Sequence, residues 1–185
     1  MNPNDASSDY GTVTAAGTVR LERLLPGPIE RLWEYLTVSE KRALWLAGGP
    51  TELRDGGTVE LSFHNERLGA PGDPPPAKYA EVAGTGRVLG TVTVCEPPRR
   101  LAFTWQNEPA EDSSEVSFTL TPQGDQVLLE VVHRRLAHRG DVVSVSAGWH
   151  AHLQLLRQHL EAAPLASFWA LHTRLEADYE QRIPR

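Results

Sequence analysis

Partway along this chain the spacing of its apolar residues changes, and that change limits the folds open to it. Between residues 59 and 133 apolar side chains recur at every second position. Val59, Leu61 and Phe63 alternate with Glu60, Ser62 and His64; the sets Leu101, Phe103, Trp105, then Val116, Phe118, Leu120, then Leu129, Val131, His133 keep the same rhythm. Val88, Val92 and Val94 mark a further strand, ended by Pro97-Pro98. A period of two belongs to strands with one buried face. From Asp141 the step lengthens. Val142, Val145, Trp149, Leu153, Leu156 and Leu160 follow one another at three or four residues, the stripe of a long helix reaching Ala162. Short strands joined by polar turns such as Gly124-Asp125 form an antiparallel meander. Such a sheet has one apolar face to cover, and the long helix has one apolar stripe to bury. A sheet curled around a helix encloses volume, and whether side chains fill it separates a solid core from a pocket.

The flanking segments follow from local signals. Residues 1–11 are polar and are expected to form a flexible tail. Residues 12–25 predict a strand, with Val19 and Leu21 alternating with Arg20 and Glu22, ended by Pro26-Gly27-Pro28. Pro28 suits the first position of a helix, where Ile29, Leu32, Trp33 and Leu36 share one face. Ser39 is expected to cap a second short helix through Ala47, carrying Leu44 and Trp45 and stopped by Gly48-Gly49-Pro50. Residues 65–84 contain APGDPPPA and predict a long loop, either a lid or a mobile connection. Asp141 is the expected cap of the long helix. Beyond Pro164, residues Leu165, Phe168, His172, Leu175 and Tyr179 predict a final amphipathic helix. The expected organisation is a tail over 1–11, an α+β domain over 12–162 and a helical extension over 163–185.

Charge and composition exclude several functions. The chain carries 18 Lys and Arg against 24 Asp and Glu, a net charge of -6, so nucleic acid and anionic membranes are not expected partners. Lone Cys95 allows no internal disulfide, and no Cys-x-x-Cys is present to hold zinc. The segment MNPNDASSDYGT has neither the basic region nor the apolar stretch of a signal peptide, and no apolar run is long enough for a membrane span. A cytoplasmic protein is expected. The stretch Gly84-Thr85-Gly86-Arg87-Val88-Leu89-Gly90 resembles a dinucleotide fingerprint, but a strand follows it rather than a helix N-terminus, so no cofactor is expected. Seven histidines invite a metal, yet His150 and His152 diverge on a helix, His152 and His159 lie two turns apart, and His64 has the polar parity of its strand. Solvated histidines and no metal site are expected. Cys95 also takes the polar parity, beside Glu96, which raises a thiol pKa rather than lowering it.

What remains is a constellation of rings. Phe63, Phe103, Trp105 and Phe118 share inward parities with Val131; Val145 and Trp149 lie on the helix stripe; Trp45 closes the second short helix. These eight are the candidate apolar walls of a ligand pocket, the alternative being an aromatic core. His133 shares the inward parity near its strand end and is the candidate polar contact, with a hydrogen-bonded core histidine as alternative. Gly148 sits inside the long helix, where glycine costs about 1 kcal/mol relative to alanine. Close packing on the sheet and room for a ligand are the two explanations.

The blocks RLERLLPGPIERLWEYLT, SEKRALWLAGG, GTVTVCEPPRRLAFTW, VLLEVVHRRL and GWHAHLQLLRQHLE, in that order, resemble the activator-of-Hsp90-ATPase-homologue-like branch of the SRPBCC superfamily, also called START-like or birch-pollen-allergen-like. The resemblance covers about residues 12–162. It implies a helix-grip fold: a curved antiparallel sheet of six to seven strands around a long C-terminal helix, with a cavity between them. Within that superfamily are lipid carriers, polyketide cyclases and aromatases, and co-chaperone domains. The expected function is binding of a small hydrophobic or aromatic ligand. The alternatives are a cyclase-like enzyme, in which His133 or a nearby Glu moves protons, and a chaperone-associated interaction protein. The final helix is a candidate cover for the sheet or the cavity mouth, or a homodimer contact.

Overall fold

The computed structural model describes residues 9–72, 74–81, 86–105 and 113–184. Its seven strands form one antiparallel sheet: β1 (Thr12–Ala15), β2 (Thr18–Pro26), β3 (Thr58–Ser62), β4 (Arg87–Glu96), β5 (Arg100–Trp105), β6 (Ser114–Gln123) and β7 (Gln126–Arg134), in spatial order β1-β2-β7-β6-β5-β4-β3. The meander runs from β4 to β7, and β2 closes back on β7, with Val19 opposite His133 and Leu21 opposite Val131. Helices α1 (Ile29–Thr37) and α2 (Ser39–Arg42) connect β2 to β3; α3 (Arg139–Leu160) follows β7, and α4 (Phe168–Arg182) comes last. This is the helix-grip arrangement. Its core follows the sequence parities: Val116, Phe118, Leu120, Leu129 and Val131 from the sheet meet Trp149, Leu153, Leu156 and Leu160 from α3, all buried. Each fully buried aliphatic or aromatic side chain contributes about 1.5–3 kcal/mol, which is why the period-two and period-3.6 faces find each other.

Several boundaries differ from the sequence expectation, each for a local reason. The first strand is two strands, because the chain reverses at Gly17, whose φ of 64° suits glycine. A Cβ there would also run into the Leu136 carbonyl. Helix α2 stops at Arg42 rather than Ala47. The buried Arg42 guanidinium gathers the carbonyls of Ala47 at 3.0 Å and Gly49 at 2.5 Å and the Thr51 hydroxyl at 2.9 Å, which folds 43–51 into turns. Val38 is the N-cap of α2; the Ser39 hydroxyl instead accepts the Gly49 N–H at 2.9 Å. Helix α3 begins at Arg139 after His138, and Asp141 acts from the third position, its carboxylate accepting the His138 N–H at 3.0 Å.

The loop after β3 is fastened to α4 and to the residues just before it where it is described. Ala70 donates its N–H to the Ala166 carbonyl at 3.0 Å, Tyr79 stacks on Trp169 at 5.7 Å, and the Tyr79 hydroxyl donates to Glu176 at 2.5 Å. Residues 82–84 of that loop, residues 1–8 of the expected tail, and Gly84 and Thr85 of the glycine-rich stretch lie outside the described residues. Helix α4 lays Phe168, Trp169, Leu171, His172, Leu175 and Tyr179 inward. Because α4 packs on α3, the long helix is buried on more than its sheet-facing stripe. His150, His152 and His172 are therefore buried, which corrects the expectation that the histidines are solvated.

Candidate ligand cavity

Four residues of α3, Val145, Gly148, Trp149 and His152, fall at i, i+3, i+4 and i+7 and so share one face. Opposite them stand Trp105 at the end of β5, His133 near the end of β7, Phe63 just past β3 and Leu46 in the turn after α2. These eight residues line a cavity of about 100 Å3 that is open on one side. Leu46, His133, Trp149 and His152 are buried and form its floor; Phe63, Trp105 and Val145 are half-buried and mark its mouth. The two explanations for Gly148 now separate. A Cβ built on it meets no atom within 4 Å, so the glycine faces open space rather than a close-packed neighbour.

The polar groups of this site are arranged with defined tautomers. The Trp149 indole N–H donates to His133 Nδ1 at 3.1 Å, which leaves the imidazole proton on Nε2. That N–H donates to the Ser114 hydroxyl at 2.9 Å, and Ser114 donates to the Trp105 carbonyl at 3.3 Å. Both nitrogens of His133 are thus committed within the protein. Burial pushes its pKa down to about 4, so the ring is neutral. His152 is neutral for the same reason, also pushed down to about 4 by burial, although its bond to Trp45 acts the other way. Its Nδ1 lies 2.7 Å from the Trp45 carbonyl and must carry the proton, since a carbonyl only accepts. No charged side chain lines the cavity among the described residues.

Of the residues expected to form the site, Phe63, Trp105, His133, Val145 and Trp149 line the cavity. Trp45, Phe103, Phe118 and Val131 do not; they are buried in the core behind it. Phe118 holds Trp149 edge-on at 5.5 Å, Phe103 stacks on Trp105 at 6.3 Å, and the Trp45 indole donates to the Tyr35 carbonyl at 2.9 Å. His133 shows the cavity its carbon edge rather than a free nitrogen. Leu46, Gly148 and His152 complete the lining, and the last of these follows from counting one turn on from Trp149. Cys95 is half-buried, and its thiol pKa is raised by burial and then by Asp55, which takes the part assigned to Glu96.

Residues 26–161 match the family model described as activator of Hsp90 ATPase homolog 1-like protein. The chain belongs to that family. Among solved structures, the chain is 44% identical to the protein encoded by gene BPP1335 of Bordetella parapertussis, over 95% of this chain and 91% of that one, with a TM-score of 0.78. CalU16 of Micromonospora echinospora is similar at 21% identity, covering 95% of this chain and 96% of its own, with a TM-score of 0.65. DynU16, a protein in the dynemicin biosynthetic locus, is 22% identical over 78% of this chain and 47% of its own, with a TM-score of 0.60. At such identities the last two speak for the fold alone. No curated protein matches the chain. Among the described residues no helix is long and apolar enough to cross a membrane.

Proposed function

We propose that this chain is a cytoplasmic binding protein that holds a small hydrophobic or aromatic ligand between the sheet and the long helix. The observation that carries this reading is the open space in front of Gly148, walled by the rings of Phe63, Trp105 and Trp149. Apolar voids of comparable size take up single-ring molecules: an engineered cavity of about 150 Å3 binds benzene. The cavity is open beside the half-buried Phe63 and Val145, so a ring is not confined to its inner volume. Burying its apolar surface at about 25 cal/mol per Å2 yields several kcal/mol before association costs, enough for micromolar to millimolar affinity.

Tryptophan-fluorescence titration with a panel of single-ring lipophilic compounds tests the reading, because Trp105 and Trp149 face the cavity. Saturable changes are expected, and Gly148→Leu, which projects a side chain into the space, is expected to weaken binding at least tenfold without unfolding the protein. A flat response across the panel in the unmodified protein rejects it. The cyclase-like alternative draws on DynU16 and its biosynthetic locus. Proton transfer by a cyclase calls for a paired acid and base at the ligand. The cavity lining offers no carboxylate among the described residues, His133 has no nitrogen to spare, and His152 has no acid beside it in that lining to complete a pair, so binding is the better supported reading.

A further inference from the structure

Three features carry unpartnered polar atoms: the cluster around Arg23, the groove between residues 65–72 with 74–75 and the start of α4, and the cavity wall at His152. In the Arg23 cluster Asp9 is bonded to Arg157, and the unpartnered Arg23 Nε and Nη2 are sealed in. At the groove the polar atoms without partners, Asn65 Oδ1 and Trp169 Nε1, are sealed in rather than presented. The cavity histidine is different.

We infer that His152 Nε2 is a built-in hydrogen-bond acceptor that makes the cavity selective for neutral single-ring ligands bearing a hydroxyl or N–H. This rests on the binding reading above and names the ligand class for it. Among the polar atoms of the lining, most are already committed. Trp149 Nε1 is spent on His133 Nδ1, and His133 Nε2 on Ser114. His152 Nδ1 is spent on the Trp45 carbonyl, and that bond, in which the nitrogen must donate, leaves Nε2 with a lone pair and no proton. Nε2 has no hydrogen-bond partner among the described residues. Nor does it belong with the buried polar atoms sealed off without one, as His172 Nδ1 does. The ring is held in place by Phe168 at 4.7 Å and Phe63 at 6.2 Å, so the acceptor is fixed in direction before any ligand arrives.

The chemical consequence follows from desolvation. A ligand donor placed on Nε2 recovers the hydrogen bond it leaves behind in water. A ligand acceptor placed there faces a lone pair, and a carboxylate finds no cation among the lining residues to offset its burial. The indole N–H of Trp105, half-buried at the mouth, is likewise uncommitted among the described residues. A hydroxyl, which both donates and accepts, is the group that suits such a lining.

Phenol, toluene and benzoate form the test set, since they share one ring and differ only in a hydroxyl, a methyl or a carboxylate. Phenol and toluene are expected to bind the unmodified protein in an NMR titration that follows the indole N–H signals, and benzoate is not. The pyridine-type 15N resonance of His152 Nε2 is expected to move upfield with phenol and to stay in place with toluene, a readout that needs no substitution. His152→Phe is expected to lower the ratio of phenol to toluene affinity about tenfold, the loss of one buried hydrogen bond. An Nε2 resonance indifferent to phenol, a ratio unchanged by His152→Phe, or benzoate binding as well as phenol overturns the selectivity while leaving the cavity as a binding site. If neither phenol nor toluene binds, the binding reading itself falls, and the inference with it.

Discussion

His150 and His152 sit two residues apart in α3 and enter opposite surroundings. Around His150 the space is filled by polar and charged groups. Its Nδ1 lies 3.1 Å from the Tyr179 hydroxyl, which also accepts the Gly11 N–H at 2.7 Å. Arg23 enters from β2 with a fully buried side chain 3.8 Å from Asp9, and Asp9 takes two further bonds from Arg157 at 2.8 and 3.1 Å. Around His152 there are neutral rings and an empty volume. The contrast has a physical reason. Buried charge is tolerated only when partners crowd it, so the His150 side cannot hold a void without large cost. Neutral rings lose only dispersion contacts at a gap, so the His152 side can. One helix thus fastens the N-terminal segment on one flank and leaves room for a ligand on the other.

Acid is the harshest way to test that contrast. Burial lowers His133 and His152 to about 4 and His150 to about 3, the last with help from Arg23. An unfolded histidine titrates near 6.5, so between about pH 6.5 and 4 the unfolded chain binds more protons than the folded one. The stability these groups contribute is present in full above pH 6.5 and falls as the pH drops. The loss is about 1.4 kcal/mol per histidine per pH unit. Urea unfolding at pH 7, 6 and 5 is expected to show a steep decline, and His150→Gln and His152→Gln should each remove a comparable share of the slope. A midpoint that does not move between pH 7 and 5 contradicts the buried, neutral state of both rings.

The filled flank makes a second, smaller prediction with opposite signs at neighbouring groups. Asp9→Asn leaves Arg23 and Arg157 facing each other without their shared carboxylate, and about 2 kcal/mol of stability is expected to be lost. The loss falls short of the roughly 3–5 kcal/mol of a fully buried pair because the Asp9 and Arg157 side chains keep 19% and 24% of their exposure. Arg23→Met is expected to be neutral or slightly stabilising. Burial already lowers the pKa of that guanidinium to about 10, and its Nε and Nη2 have no hydrogen-bond partner among the described residues. Thermal melts of the two variants side by side decide it; equal losses mean that Arg23 is held better than its geometry indicates.

Alternation and helical stepping made the sheet, the long helix and their pairing legible, because parity is set by which face is buried. Depth is not set by parity. Phe103 and Trp105 share a face of β5, yet only Trp105, at the strand end, reaches the place where sheet and helix part. No count along a strand says at which level that parting occurs. Arg23 was visible all the same: it continues the inward series Val19, Leu21, Arg23, Leu25 of β2. His152 was legible as a member of the Val145, Trp149 stripe, but its burial was not, because Phe168 of α4 closes over its ring at 4.7 Å. A residue at the edge of one buried stripe is left half in water unless a second element covers it, and that second cover is a tertiary fact. Arg42 was hidden for a related reason, since its partners are backbone carbonyls, which every sequence has.

The gentlest test concerns the residue that left two explanations open. If Gly148 existed for close packing, Gly148→Ala would force α3 off the sheet and destabilise the fold. The open space before it predicts the reverse. An added methyl meets no atom within 4 Å, so alanine should bring only its better helix propensity, a gain of about 0.5–1 kcal/mol. The same methyl takes space from a cavity of about 100 Å3, so ligands that fill it should bind more weakly in the more stable protein. Stability and affinity moving in opposite directions on one methyl is the signature of a glycine kept for the ligand, and thermal melting with and without toluene measures both. Were the melting temperature to fall, the void on the His152 flank would be narrower than drawn, and the two sides of the helix more alike.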